Sequence, residues 1–128
     1  MSYVTLMQDW TTIQTSGAST VVQNESEWLD MADFLDLVFY ISTQQVSGTT
    51  PTLTFRTSPS KDEALFTALN PGSQVLTATT NHTPIINRFA TATTPLARYV
   101  RWELSGTTVI ATFRIYVAAT TQGALLGR

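Results

Sequence analysis

Few residues in this chain are of the types that bind metal ions. Three carboxylates spaced three apart, Asp30, Asp33 and Asp36, lie in the stretch WLDMADFLDL. Carboxylates are good calcium ligands, but an EF-hand loop places them at alternate positions, with a central glycine and a distal glutamate. The spacing found here does not match that pattern. We interpret the three aspartates as the solvated entrance to a strand and predict no metal site.

Catalytic groups are equally sparse. Glu25, Glu27 and Glu103 could supply a carboxylate pair for glycoside hydrolysis, but any chain with nine acidic residues contains some pair. The one histidine, His82, lies in the turn-like stretch TNHTP, and no G-x-S-x-G nucleophile motif accompanies it. The absence of cysteine excludes thiol catalysis, disulfides and cysteine-based zinc sites. We therefore expect no catalytic residues, no cofactor and no enzymatic activity.

The segment ARYVRWELSGTTVIATFRIYV, residues 97–117, contains the most distinctive pattern, with arginine and tyrosine at strand spacing. It reads as two strands joined by a turn at Ser105 and Gly106. If those strands pair, one face carries the following residues: Tyr99, Arg101, Glu103, Arg114 and Tyr116. Arg56 is expected on a similar outward face. Protein interfaces are enriched in tyrosine and arginine, whereas a solvated sheet face would use the same residues for cross-strand pairs.

Two further sets of residues have specific expectations. Arg98 interrupts the inward-facing row that contains Val100 and Trp102, so it should reach solvent or a carboxylate. The candidate partners are Asp30, Asp33, Asp36 and Glu103. Trp28 and Trp102 are expected in the core and Trp10 at the surface, although the three tryptophans could instead form a sugar-stacking platform.

Composition favours a protein that contacts other proteins. Only 12% of the residues are charged, about half the usual share, and 24 of the 128 are threonine. A threonine-rich surface costs less to desolvate than a charged one, so neighbours in an assembly could cover it. An ordinary, exposed, threonine-rich β protein has the same composition. The net charge of -2 gives no reason to expect nucleic acid, and no apolar run is long enough to span a membrane.

Alternating hydrophobicity dominates the chain and predicts strands over residues 3–7, 10–14, 19–24, 36–46, 52–58, 73–79 and 84–91, in addition to the two in 97–117. SGTTP at 47–51 and NPG at 70–72 read as turns, and Ser60 with Glu63 predicts one helical turn. We predict an all-β fold, an antiparallel β-sandwich or jelly roll of about eight to nine strands. It should form a single domain over residues 1–128. The ends, MSYVTLMQDW and TTQGALLGR, should be extended arms, with Tyr3 and Trp10 available for contacts.

Two pieces of the chain, DLVFYISTQQVSGTTPTLTFRTSPSKDEALF and PLARYVRWELSGTTVIATFRIYV, resemble small β-sandwich virion structural proteins of tailed bacteriophages. The late R-Y-V-R-W strand is also similar to galactose-binding-like jelly rolls. The resemblance implies a capsid decoration or cement protein, or a head or tail accessory subunit.

From these observations we expect a non-enzymatic virion structural protein, assembled in the host cytoplasm because no signal peptide is visible. Its partners should be phage capsid or tail proteins, with the chain homo-oligomeric or lattice-bound, and without nucleic acid or membrane. The expected contact residues are Tyr3, Trp10, Arg56, Tyr99, Arg101, Arg114 and Tyr116. A carbohydrate-binding β-sandwich module is the alternative function.

Overall fold

The computed structural model describes residues 2–32, 34–77, 81–88, 93–94 and 96–121. In these residues the chain forms seven strands, and every pairing between them is antiparallel. The strands are β1 (Ser2–Gln14), β2 (Ala18–Val22), β3 (Leu29–Asp30), β4 (Phe34–Ser58), β5 (Thr67–Val75), β6 (Ile85–Asn87) and β7 (Tyr99–Thr121). Two single 3₁₀ turns, Glu25–Glu27 and Glu63–Leu65, complete the described elements.

The two long strands, β4 and β7, pair with each other from Phe34 opposite Thr121 to Ser58 opposite Tyr99. Midway along this ribbon both strands bend, and positive φ angles mark the bend at four positions: Gly48, Thr50, Gly106 and Thr108. The sequence-based prediction of chain-reversing turns at residues 47–51 and 105–106 is therefore wrong. Each of these segments bends its own strand, and the partner strand bends beside it.

Folding of the ribbon creates two layers. The first layer contains β1, residues 110–121 of β7, residues 34–46 of β4, and β6, in that spatial order. The second layer contains β2 and β3 on one side of residues 99–105 of β7, followed by residues 52–58 of β4 and then β5. Each layer is thus built around one half of the same two-stranded ribbon.

The hydrophobic core lies between these layers. The rings of Phe39 and Phe55, from opposite halves of β4, stack with centroids 3.9 Å apart. Trp102 and Phe113, from opposite halves of β7, meet edge to face at 5.1 Å. These two contacts, each between the two halves of one strand, show that the layers pack face to face and confirm the predicted all-β sandwich. The alternation of residues alone does not specify such contacts. The described residues contain seven strands, because β1, β4 and β7 each join two of the nine predicted strands, and the short strand β3, which was not predicted, adds one.

The smaller expectations had mixed outcomes. The predicted helical turn forms at Glu63–Leu65, but Asp62 caps it, since its Oδ1 accepts a hydrogen bond from Ala64 N at 3.0 Å. The predicted turn at residues 70–72 instead lies inside β5, next to a register shift. Residues 2–9, expected as an N-terminal arm, lie in β1 and pair with β7, while residues 122–128 lie outside the described part.

Candidate interface surfaces

The bend in β7 separates the residues that we expected on one face. Tyr99 and Arg101 belong to the second layer, whereas Arg114 and Tyr116 belong to the first. Side chains that point away from the core in the two halves therefore emerge on opposite outer faces of the sandwich. The prediction of a single face is wrong, because the hairpin on which it depended does not exist. Arg56 does lie beside Arg101, directly across the ribbon, as expected.

On the second layer, Arg101 is the centre of an ion-pair network and is only 4% exposed. Its Nη2 donates to Glu103 Oε2 at 2.8 Å, and its Nη1 donates to Glu63 Oε2 at 2.6 Å. Arg56 Nε donates to the other oxygen of Glu103 at 3.1 Å. A buried guanidinium is tolerated when it is paired and hydrogen-bonded, and this network meets both conditions.

Two aromatic rings cover this network. Each 3₁₀ turn is preceded by an Asx cap and followed by an aromatic residue, so that Asn24 leads to Trp28 and Asp62 leads to Phe66. The guanidinium carbon of Arg101 lies 3.9 Å from the ring centroid of Phe66 and 5.0 Å from that of Trp28. Cation–π contacts of this kind add to the ion pairs. The described contacts of Arg101 thus tie the two turns to the sheet.

Tyr99 begins the same strand and lies beside two cations. Its ring is 5.1 Å from the guanidinium of Arg98 and 5.5 Å from Lys61 Nζ. Arg98 in turn contacts both carboxylate oxygens of Asp30, at 2.9–3.2 Å, which matches the first of the partners expected for it. This hydrogen bonding lowers the pKa of Asp30. Asp33 lies outside the described residues, and Asp36 has an interaction of its own.

On the first layer, Arg114 lies between two aromatic rings. Its guanidinium carbon is 4.8 Å from the ring of Trp10 and 5.0 Å from the ring of Tyr116. Both rings are 37% exposed, as the sequence predicted for Trp10, while Trp102 is buried in the core. The Nε of Arg114 is buried without a hydrogen-bond partner among the described atoms. Tyr3 lies in β1 opposite Ala119, and its side chain is outside the described part.

Next to Arg114, apolar side chains form two rows across the first layer. In one row Leu6 lies opposite Tyr116, which lies opposite Tyr40 on its other side. In the next row the register aligns one residue from each of the four strands: Val4, Ala118, Val38 and Ile86. We call these seven residues the apolar face: Val4, Leu6, Val38, Tyr40, Ile86, Tyr116 and Ala118.

The apolar face is exposed to an unusual degree. Val4 is 68% exposed, Tyr40 45% and Ile86 42%. Of the nine large hydrophobic residues that are exposed in the described part, five belong to the apolar face and a sixth, Trp10, lies beside it over Arg114. Contiguous exposed apolar residues mark interaction sites in soluble proteins. The sequence signal that we missed is the unbroken run LVFYI at 37–41, which is apolar on both faces of the strand.

Other features of the described surface offer less chemistry. An open groove at the bend is lined by hydroxyl and small side chains, with no aromatic ring for stacking on a sugar: Ala18, Ser19, Thr20, Thr50, Thr52, Ser105, Gly106 and Thr107. His82 Nε2 accepts a hydrogen bond from Thr77 N at 3.4 Å, and burial lowers the pKa of His82. Within the described ranges, no three acidic or histidine side chains are grouped to hold a metal ion. Those ranges also contain no helix of the length and hydrophobicity needed to cross a bilayer.

The fold and these surfaces define a two-layer antiparallel β-sandwich with an apolar outer face. A chain from the structure of infectious bursal disease virus, Gx strain, has a similar fold, with a TM-score of 0.57 and 16% sequence identity. The match covers 96% of this chain and 32% of that chain, so this protein spans about a third of the viral chain's length. No protein-family model and no curated protein matches the sequence.

Proposed function

We propose that the protein is a non-enzymatic structural subunit of a virus particle. More specifically, we infer that it decorates or cements the capsid of a tailed bacteriophage, or serves as a head or tail accessory subunit. The single observation that carries the proposal is the apolar face, which crosses all four strands of the first layer. Exposed apolar area of this extent is favourable only when a partner covers it.

The composition of that face fits a protein partner better than a charged polymer. Its seven residues carry no formal charge, so docking removes apolar surface from water without stripping charged groups of their hydration. Arg114, whose guanidinium lies against the rings of Trp10 and Tyr116, is at one end of the face. Such an arrangement of aromatic rings and arginine around an apolar centre is typical of binding hot spots.

Stabilisation of a particle would follow from mass action. A subunit that binds the assembled lattice and not its separate parts shifts the assembly equilibrium towards the lattice. Each contact need only be modest, because many copies bind on one particle and the contacts act together. The likeness in fold to a chain from a virus structure supports this role, and the proposed location is accordingly the virion.

Binding to particles tests the proposal. Tyr40→Asp places a charge in the apolar face, and we expect it to lower occupancy on particles prepared without the protein by at least about tenfold, as loss of a hot-spot residue does. Val75→Asp is the matched control, because Val75 is 49% exposed but lies in the second layer. Occupancy is measured by co-sedimentation and gel densitometry.

Val75→Asp should bind like the wild-type protein. Equal occupancy for wild type and Tyr40→Asp, or no wild-type binding to any virion component, would contradict the proposal. Turnover of a substrate by the purified protein would contradict its non-enzymatic part.

A further inference from the structure

The four edges of the two sheets differ in how well they are protected from pairing with another strand. An edge strand presents unpaired backbone N–H and C=O groups, and proteins shield them by making the strand short or by adding charges, prolines or bulges. In the second layer, β2 has five residues and β3 two, while β5 contains Pro71 and a register shift. In the first layer, β6 has three residues.

The remaining edge, β1, is 13 residues long and contains neither lysine nor proline. Among the described residues it pairs only with β7, which leaves its other side open. Its middle is protected, because register shifts occur between Leu6 and Gln8 and between Gln8 and Thr11, and Asp9 adds a charge there; only the four residues Thr11 to Gln14 pair in register beyond it. The first half, Ser2 to Leu6, pairs with β7 in unbroken register and has no such device.

The unprotected half of β1 is also where the apolar face reaches the sheet edge. Val4, in the middle of this segment, is the most exposed large hydrophobic residue in the described part, at 68%, and Leu6 is 39% exposed. The apolar face therefore does not stop at a polar rim on this side. Both the backbone and the side chains indicate that the sheet continues into another strand.

We propose that residues 2–6 pair antiparallel with the same segment of a second copy, about a two-fold axis at Val4. The segment is complementary to itself: Val4 lies opposite Val4, and Ser2 lies opposite Leu6. It contains no charged residue, so no charge is placed opposite its own copy. The two four-stranded first layers become one continuous eight-stranded sheet.

This pairing deepens the proposed function, on which it rests only in treating the apolar face as an interface. A two-fold axis perpendicular to the sheet leaves both apolar faces on the same side. The dimer then presents two adjoining copies of the face to a lattice and gains from bivalent binding.

The experiment uses the full chain in solution, without particles, so that its result is independent of particle binding. Sedimentation velocity over about 1 to 100 µM, a range that covers micromolar dissociation constants, should show a dimer for the wild type. Val4→Lys should shift it to monomer, and the matched control Val75→Lys should remain dimeric. Circular dichroism checks that each variant is folded.

A second readout does not depend on the lysine variant folding. The chain has no cysteine, so Val4→Cys introduces a single thiol. Residues directly opposite in an antiparallel pair have Cβ atoms about 4.5–5.5 Å apart, close to disulfide distance. Mild oxidation should convert Val4→Cys to a covalent dimer within minutes, while Val75→Cys stays largely monomeric on a denaturing gel.

A wild type that is monomeric throughout the range would overturn the inference. So would a dimer that Val4→Lys leaves intact, loss of the dimer in both lysine variants, or equal cross-linking of the two cysteine variants. None of these results would affect the particle-binding test, in which Tyr40 lies away from the edge.

Discussion

At the residue scale, Arg101 has a structural environment that its sequence neighbours do not predict. Its neighbours in the sequence, Tyr99 and Glu103, look like an exposed contact surface. The structure instead places its guanidinium between two carboxylates and two aromatic rings, with 4% of the residue exposed. We expected the positive charge of Arg101 to be available for a partner. Instead, it holds the two 3₁₀ turns against the second layer.

Removing that charge should destabilise the fold. Arg101→Met keeps an unbranched chain between the rings but leaves Glu103, which is 12% exposed, with Arg56 alone. We expect a loss of about 3 kcal/mol in the free energy of unfolding, because the change removes the buried cation from an ion-pair network and from its contacts with the two rings. Urea denaturation measures the loss.

Arg56→Met is the matched control for this experiment. Arg56 binds the same carboxylate but its side chain is 36% exposed, so its ion pair should contribute only about 0–1 kcal/mol. Equal losses in the two variants would show that burial of Arg101 does not set its contribution.

Sequence reasoning located some of these residues and missed the environment of others. The pairing of Arg98 with a nearby carboxylate was expected, because a charged residue interrupting an inward row needs a partner. The burial of Arg101 was not expected, because the alternation of residues shows on which face of a strand a side chain lies but not what covers that face. The covering rings, Trp28 and Phe66, come from turns more distant in the sequence.

At the scale of elements, the bend in the ribbon depends on glycine. Gly48 has φ +106°, and a Cβ added there would lie 2.5 Å from the backbone oxygen of Thr108 on the facing strand. Gly106, near the bend of β7, has φ +151° and is similarly close to Val109 and Thr49. The backbones of β4 and β7 can approach this closely only because Gly48 and Gly106 have no side chain.

Gly48→Ala should therefore be costly. Backbone strain and the clash with Thr108 together should lower the free energy of unfolding by about 2–4 kcal/mol. Gly17→Ala is the matched control, because Gly17 also has a positive φ of +68° but nothing lies within 4 Å of its added Cβ. It should cost about 1–2 kcal/mol, the strain alone. Thermal and urea unfolding measure the free energy of unfolding of the two variants. A smaller loss for Gly48→Ala than for Gly17→Ala would show that the contact with Thr108 does not restrict this position.

The turns predicted at residues 47–51 and 105–106 illustrate the limit of local signals. Glycine, serine and threonine clusters are typical both of chain reversals and of sharp strand bends. The partner strand decides whether such a cluster reverses the chain or bends the strand. Here the bend in β4 lies beside the bend in β7, so the two strands stay paired.

At the scale of the whole molecule, the two layers share their central strands. Because β4 and β7 each run through both layers, the central pair of one layer is covalently continuous with the central pair of the other. The core contacts between Phe39 and Phe55 and between Trp102 and Phe113 join the layers further. The sandwich should therefore unfold as one cooperative unit.

Native-state hydrogen exchange tests this cooperativity. Ile115→Val removes one methylene from a fully buried site in the first layer and should cost about 0.5–1.5 kcal/mol. We expect the free energy of exchange to fall by the same amount for slow amides of residues 53–57, in the second layer, as for residues 115–119. Undiminished protection in residues 53–57 would show that the layers open separately.

The sequence by itself determined the all-β class, the inward rows that fill the core and the shortage of charge, because alternation and composition are properties of neighbouring residues. Only the tertiary structure decided which strand halves share a layer, where the arginines emerge and how far the apolar face extends. Those outcomes depend on a bend that two strands make together at Gly48 and Gly106, and on pairings between residues as far apart in the sequence as Ser2 and Thr120. No local pattern encodes such pairings, since every register that keeps the apolar row inward satisfies the same alternation.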